Sequence, residues 1–358
     1  MTISAIHRFL AITVCTVVLT TIAGCSSVGP KTLDKDQLDY GNSIGNNWKN
    51  QMLANIVKLR YVDMPVFVDV GSIVSGYSME TQVSGRLGFS DNFLGGDSQG
   101  LGAAGKFTDR PTITYMPKTG DDYLRSLLAP VEPKNLLALV QAGYSAELLF
   151  TWAVEAINGV QNYSGTDRTR LDADPKFYEL AGLMNEMQAL GAIAWEFDTD
   201  PDTGHDVLLV LRQEGVSDAI KTRRARIAEI MDLDSSVYKY RVIYAPIKVG
   251  PDTLSMQTRS VLQTLSAMAG FVDIPAELAN QATPGFKLRG DLVRPFHVLS
   301  GKDRPDDAFA AIKYRDYWYW IENTNMASKR VFTLMLFLTT LTNNASDNVG
   351  PVLTIPTG

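Results

Sequence analysis

Cysteine and histidine are scarce: two and three in 358 residues. Both cysteines, Cys15 and Cys25, stand near the start, so everything after Cys25 must fold without a disulfide and rely on its core. With only His7, His205 and His297, few histidine-rich metal sites or nucleophile–base–acid triads can be built. Basic excess is missing too: the formal net charge is -6, which argues against nucleic acid as a partner. Long apolar runs are absent. Phe9 to Thr21 and Val331 to Leu341 both fall short of the about 20 residues that cross a bilayer as a helix. The second reads as a buried helix against a sheet. No fixed-period repeat appears, and the only low-complexity block is rich in glycine.

What remains has ordinary globular proportions, 45% hydrophobic and 20% charged. The first 24 residues read as a secretory signal: Arg8 in a short start, a greasy middle, then small residues before a cut site. Ile22-Ala23-Gly24-Cys25 resembles the lipobox of bacterial lipoproteins. The resemblance implies cleavage before Cys25 and diacylglyceryl and acyl chains on that residue. Two or three chains hold a protein stably where one does not. Ser26 after the cysteine implies the outer membrane, with the body in the periplasm.

Residues 25–39 are polar and read as a lipidated flexible tether, reaching at most roughly 45–50 Å. Residues 40–165 and 166–358 read as two α+β stretches, one large domain or two closely packed lobes. Tyr40, Ile44, Trp48, Met52 and Ile56 recur at helical spacing, with an end near Tyr61 before Pro65. Val66 to Val70 and Pro111 to Tyr115 read as strands. Gly85 to Gly105 reads as a long loop or a hairpin tip. Helices follow over Asp121–Leu128, Lys134–Gln141 and Ser145–Ile157, with Asp121 and Ser145 as N-caps. The polar stretch Asn158 to Ala173 joins the two halves. Asp174-Pro175 opens the next helix, to about Leu190. Ile193–Phe197 and Val207–Leu211 form a hairpin, Ser217–Met231 a helix, Val237–Ala245 a strand and Thr253–Met268 an amphipathic helix. Val293–Leu299 is a strand. Ala308–Tyr314 and Tyr317–Ile321 flank the polar pair Arg315-Asp316, a tight hairpin. Asn325 or Ser328 caps a helix over Lys329–Leu341, and Val352–Ile355 closes as a strand. Helices and strands mix without steady alternation, so the class is α+β with mainly antiparallel strands.

Asn55 to Pro65, Arg110 to Tyr115, Lys313 to Trp318 and Ser328 to Arg330 resemble landmarks of a group of bacterial envelope lipoproteins. The resemblance implies a compartment and a shared fold, and it transfers no catalytic residue. Asp316 stands where that group's hairpin would carry glycine.

Several motifs carry chemistry on paper. Gly100-Leu-Gly-Ala-Ala-Gly105 spells a dinucleotide-binding string, which needs a strand before it and a helix opening on its glycines. Asp198 to Gly204 places carboxylates at alternate positions, but Gly and Glu miss their calcium-loop places, so it reads as a hairpin turn. Asp121-Asp122 and Asp306-Asp307 are adjacent pairs that suit turns better than paired acid–base work. Lys221, Arg223, Arg224 and Arg226 give one helix a basic side, suited to solvent or to anionic lipid. His297 reads as packed or hydrogen-bonded, with a general-base role as the alternative. Tyr317, Trp318, Tyr319 and Trp320 form the densest aromatic run, where alternate rings face opposite sides of a strand. They are the candidate binding residues for a glycan or partner. No cofactor, metal or catalytic residue is expected. The expected role is non-catalytic: an outer-membrane-anchored lipoprotein for assembly or accessory interaction, with an envelope protein or peptidoglycan as partner. The alternatives are a glycan- or lipid-binding module and a hydrolase with a scattered site.

Overall fold

The computed structural model describes residues 28–74, 77–88, 98–109, 112–163, 173–197, 207–285 and 296–342. The lipobox, Asp198–Gly204, His205 and the C-terminal strand expected at Val352–Ile355 lie outside them. The chain divides into two units, Met1–Lys49 and Asn50–Gly358. The class is α+β, as expected.

Helix α1 (Val28–Arg60) starts earlier than the sequence suggested, so residues 28–39 are helical instead of a flexible tether. Polar composition alone does not separate a solvated helix from coil, and Pro30 falls in the first turn, where proline is tolerated. Met52, Leu53, Ile56 and Val57 are buried, whereas Trp48 is half exposed. Val62, at φ 61, ends the helix.

Four strands then form two antiparallel pairs, the second nested in sequence within the first. β1 (Val68–Val74) pairs antiparallel with β4 (Thr112–Pro117), and β2 (Tyr77–Gly88) with β3 (Ser98–Asp109). Gly71 sits where the β1–β4 register shifts; a Cβ there would meet the tip of the exposed Met116 side chain at 2.7 Å, which would have to swing aside. The ribbon root is held by two amides one helical turn apart on α1. Asn55 donates to Val66 O at 2.8 Å and accepts from Val66 N–H at 2.9 Å. Gln51 does the same with Val68, at 3.2 and 2.7 Å. Each mimics a strand neighbour, so the helix supplies the backbone pairing that a third strand would give.

Helices α2 (Asp121–Leu128), α3 (Pro133–Gln141) and α4 (Ala146–Ala153) follow. Gly120, at φ 92, is the N-cap of α2 in place of Asp121. Ser145 caps α4 by accepting from Leu148 N–H. The helix expected to run to Ile157 stops at Ala153 and becomes β5 (Val154–Ile157), which turns through Asn158-Gly159 into β6 (Val160–Gln161). Two side chains make the abrupt switch possible. Asn162 donates to Thr151 O at 2.9 Å and Val154 O at 2.8 Å, and Arg259 donates to Trp152 O at 3.1 Å. The carbonyls that a helix end leaves open are thereby satisfied in a buried place.

α5 (Pro175–Ala189), β7 (Ile193–Phe197), β8 (Val207–Leu211), α6 (Asp218–Met231) and β9 (Lys239–Tyr244) lie close to their expected spans. Thr253–Met268 does not form one helix. It splits into β10 (Thr253–Thr258) and α7 (Val261–Ala269) at Ser260, whose capping box with Gln263 starts a new helix. β10 is buried at five of six positions, so it shows no alternation from which to read a strand. It lies inside a six-stranded sheet, order β6-β5-β10-β9-β8-β7, parallel to β9 and antiparallel to β5. That sheet takes strands from both sides of residue 165.

A second sheet has the order β11-β13-β12, from β11 (Leu299–Gly301), β12 (Ala308–Tyr314) and β13 (Tyr317–Glu322). Helix α8 (Met326–Thr342) packs on it, with Phe332 edge-on to Phe309 at 5.6 Å. Asn325 caps α8, accepting from Ser328 N–H at 3.0 Å.

Candidate functional site

The aromatic hairpin was the strongest candidate from the sequence. Arg315 and Asp316 both have positive φ, 46 and 63, which is the geometry of a two-residue primed turn. The turn therefore forms without the glycine that would have suited it. It sets Tyr314 opposite Tyr317 and Lys313 opposite Trp318.

The pleat separates the four candidate residues into two pairs. Tyr317 and Tyr319 face the core, at 7% and 0% exposure. Their rings cannot stack on a ligand, so they leave the candidate set. Trp318 and Trp320 are half-buried on the other face. There the Arg304 guanidinium lies 5.4 Å from the Trp318 ring, and Lys313 and Gly301 stand opposite it on the flanking strands. Trp320 lies against Gly301, where an added Cβ would meet its ring at 3.3 Å. The remaining platform is two indoles, one of them already covered in part by a cation.

Behind the turn is a cluster that the sequence reading missed. The Tyr314 hydroxyl and the Arg315 guanidinium both donate to Asp63, the latter at 3.0 Å. Arg315 also donates to Gln281 Oε1 at 2.8 Å and stacks 4.5 Å above the Tyr61 ring. The Tyr61 and Tyr319 hydroxyls share a hydrogen bond of 2.5 Å inside the core. The Tyr314 hydrogen bond, with help from Arg315, holds Asp63 below the ordinary carboxylate range. Burial, then the Asp63 contact, pushes Tyr314 up. Burial and the Tyr61 hydroxyl push Tyr319 up further. These groups clasp the end of α1 to the hairpin. Only the Tyr-Arg-Asp-Tyr run at 314–317 hinted at them.

His297 precedes β11. Its Nε2 lies 2.7 Å from Asp273 Oδ2, and its backbone N–H donates to Ser328 Oγ at 2.9 Å. The Ser328 hydroxyl is thus bound to backbone and sits buried at the start of α8. The pair is a hydrogen-bonded His–Asp unit. Arg60 lies nearby, buried, donating to Thr283 Oγ1 at 3.2 Å and held below its usual range by desolvation. Asp307 accepts from Asn323.

The other motifs resolve in place. Gly100 to Gly105 lies on β3 with no helix opening on it, so the dinucleotide string lacks its cradle. The basic side of α6 faces acids of α5: Arg226 pairs with Glu179 and Arg223 with Glu186. Among the described residues, no His, Cys, Asp and Glu group could hold a metal ion. Among the described residues, no helix is long and apolar enough to cross a membrane.

No family model, curated protein or solved structure matches this chain. The functional reading therefore rests on the chain's own chemistry.

Proposed function

We propose that the chain is a lipid-anchored envelope protein with an assembly or interaction role and no catalysis of its own. Cys25 is the anchor, the outer membrane the address and the periplasm the compartment. The observation that carries the interaction role is strand β4. All six of its residues are exposed, including Ile113, Tyr115 and Met116, in a ribbon that has only two strands among the described residues. Open strand edges and exposed apolar residues together favour pairing with another chain.

The anchor has a direct test. Intact mass should show acyl additions at Cys25 on the natural chain and none on the Cys25→Ser chain. A natural chain whose mature start carries no acyl mass would end this reading.

A second reading, a glycan-binding module, is favoured by the neighbouring Trp318 and Trp320 indoles on one sheet face. Purified protein should then sediment with peptidoglycan, and Trp318→Ala should lose that retention. Equal retention of both would leave the indoles as packing.

A further inference from the structure

The ribbon has a second property, carried by the strands nested inside β1 and β4. β2 and β3 are twelve residues each and pair without a break, from Tyr77 opposite Asp109 to Gly88 opposite Ser98. At about 3.3 Å per residue each strand spans about 40 Å. Tilted near 45° it would rise about 28 Å, which matches the apolar thickness of a bilayer; membrane-spanning strands need about 9–11 residues at that tilt.

The residue types follow the pleat. By register, positions 79, 81, 83, 85 and 87 of β2 share one face with 99, 101, 103, 105 and 107 of β3; the residues there are Met, Thr, Val, Gly and Leu, and Gln, Leu, Ala, Gly and Phe. The other face takes the charges: Glu80 stands opposite Lys106, and Arg86 opposite Gly100. Glu80, Gln82, Ser84, Ala104 and Lys106, all on that face, are exposed. Between the Met79–Phe107 and Leu87–Gln99 pairs, no charged residue falls on the apolar face. One face without charge over that span, and one carrying Glu80, Arg86 and Lys106, is the pattern of strands that meet lipid outside and water inside; Asp109, opposite Tyr77, lies on the apolar side at the end of the pair. A sheet lying on a soluble core would also alternate, but β2 and β3 pair only with each other among the described residues. A lone two-stranded ribbon is at best marginal in water.

We propose that β2 and β3 enter the bilayer by pairing edge to edge with the same ribbons of further copies of this chain, closing a transmembrane β-barrel around a water-filled passage. Closure follows from the physics of the open edges. Unpaired N–H and C=O groups cannot face hydrocarbon, so a single ribbon cannot span it, whereas a ring of ribbons has no edge. The smallest barrels have about 8 strands, so about four copies or more would be needed. Glu80 and Lys106 would then line the passage.

This rests on the membrane anchorage proposed above, and the two can fail separately. Full-length protein extracted from membranes would be reconstituted into phosphatidylethanolamine–phosphatidylglycerol vesicles holding a small fluorescent dye. The expected results are dye release and a heat-sensitive oligomer on detergent gels. Val83→Asp, on the lipid-facing side, should lower release at least about tenfold. Gln82→Asp, on the opposite face, should stay within about twofold of the natural chain. Thermal unfolding of both should match the natural protein. If Val83→Asp misfolds, a polarity-sensitive dye on Val83→Cys and on Ser84→Cys replaces it: only the label at 83 should report an apolar setting. The Cys25→Ser chain, delivered from detergent, should still release dye, which tests the ribbon without the anchor. Absence of release by the natural chain, a monomer in vesicles, or equal water exposure at 83 and 84 would overturn the proposal. Binding to vesicles without release would do so too, because it describes a ribbon lying on the surface.

Discussion

The Asp63–Tyr314–Arg315 clasp shows what single residues contribute and why the sequence hid it. Tyr314 and Asp63 are 251 positions apart, and no local pattern links them. The sign of their titration is definite. Asp63 has a folded pKa below its ordinary 3.8, so its contribution is complete above that value and is lost as pH falls through the lowered one. Tyr314 and Tyr319 have raised folded values, so their contributions are full below their ordinary 10.0 and are lost as pH climbs above it. Urea midpoints should accordingly drop below pH about 4 and again above about 10, and Asp63→Asn should flatten the acid limb. Tyr319→Phe should cost about 1–3 kcal/mol in urea unfolding, because the buried Tyr61 hydroxyl loses its partner. Removing both hydroxyls should cost less than the two single losses combined. Caps were easier to read than clasps. Ser145 and Asp174 cap as expected, since an N-cap is a local matter. Asp121 does not, because Gly120 takes the position with a backbone geometry that side-chain bearing residues rarely adopt.

Elements were legible where one face is wet. Helix α2 falls on its expected bounds, and the β7–β8 and β12–β13 hairpins fall close to theirs, because alternation marks a half-buried strand. β10 was misread because burial on both faces erases that alternation, and its apolar residues joined those of α7 into a false helical stripe. The short β5 was absorbed into α4 in the same way. Ser260→Ala should lower stability by about 1 kcal/mol through loss of the capping box, measured by urea unfolding. Asn162→Ala should cost more, about 2 kcal/mol or above, since several buried carbonyls at the end of α4 lose their donor. On the candidate site, the sequence placed alternate rings on opposite faces, and the structure assigns the tyrosines to the core and the tryptophans to the other side. Which pair turned inward depended on the packing of Tyr61, far away in the chain.

Over the whole molecule, the class was readable and the connectivity was not. A count of helices and strands yields α+β, but the strand order depends on partners that no local pattern names. β5 has β10 beside it, and Asn158 in the turn after β5 accepts from Ser255 N–H at 2.6 Å across 97 positions. A fragment of residues 40–165 would keep β5 and lose β10, Arg259 and Ser260. Such a fragment should show no cooperative melt and should be cut rapidly by protease. A cooperative melt would show that this stretch folds by itself.

The middle place of β10 also sets an order of events at the ribosome. The strand that completes the sheet is translated after both of its neighbours, so β5 and β9 leave the tunnel with bare edges. For the length of that wait the β5–β6 and β7–β8–β9 pairs have no central strand to join them. Such a chain stays loose until late, which puts the burden of shielding on holdase chaperones along the way.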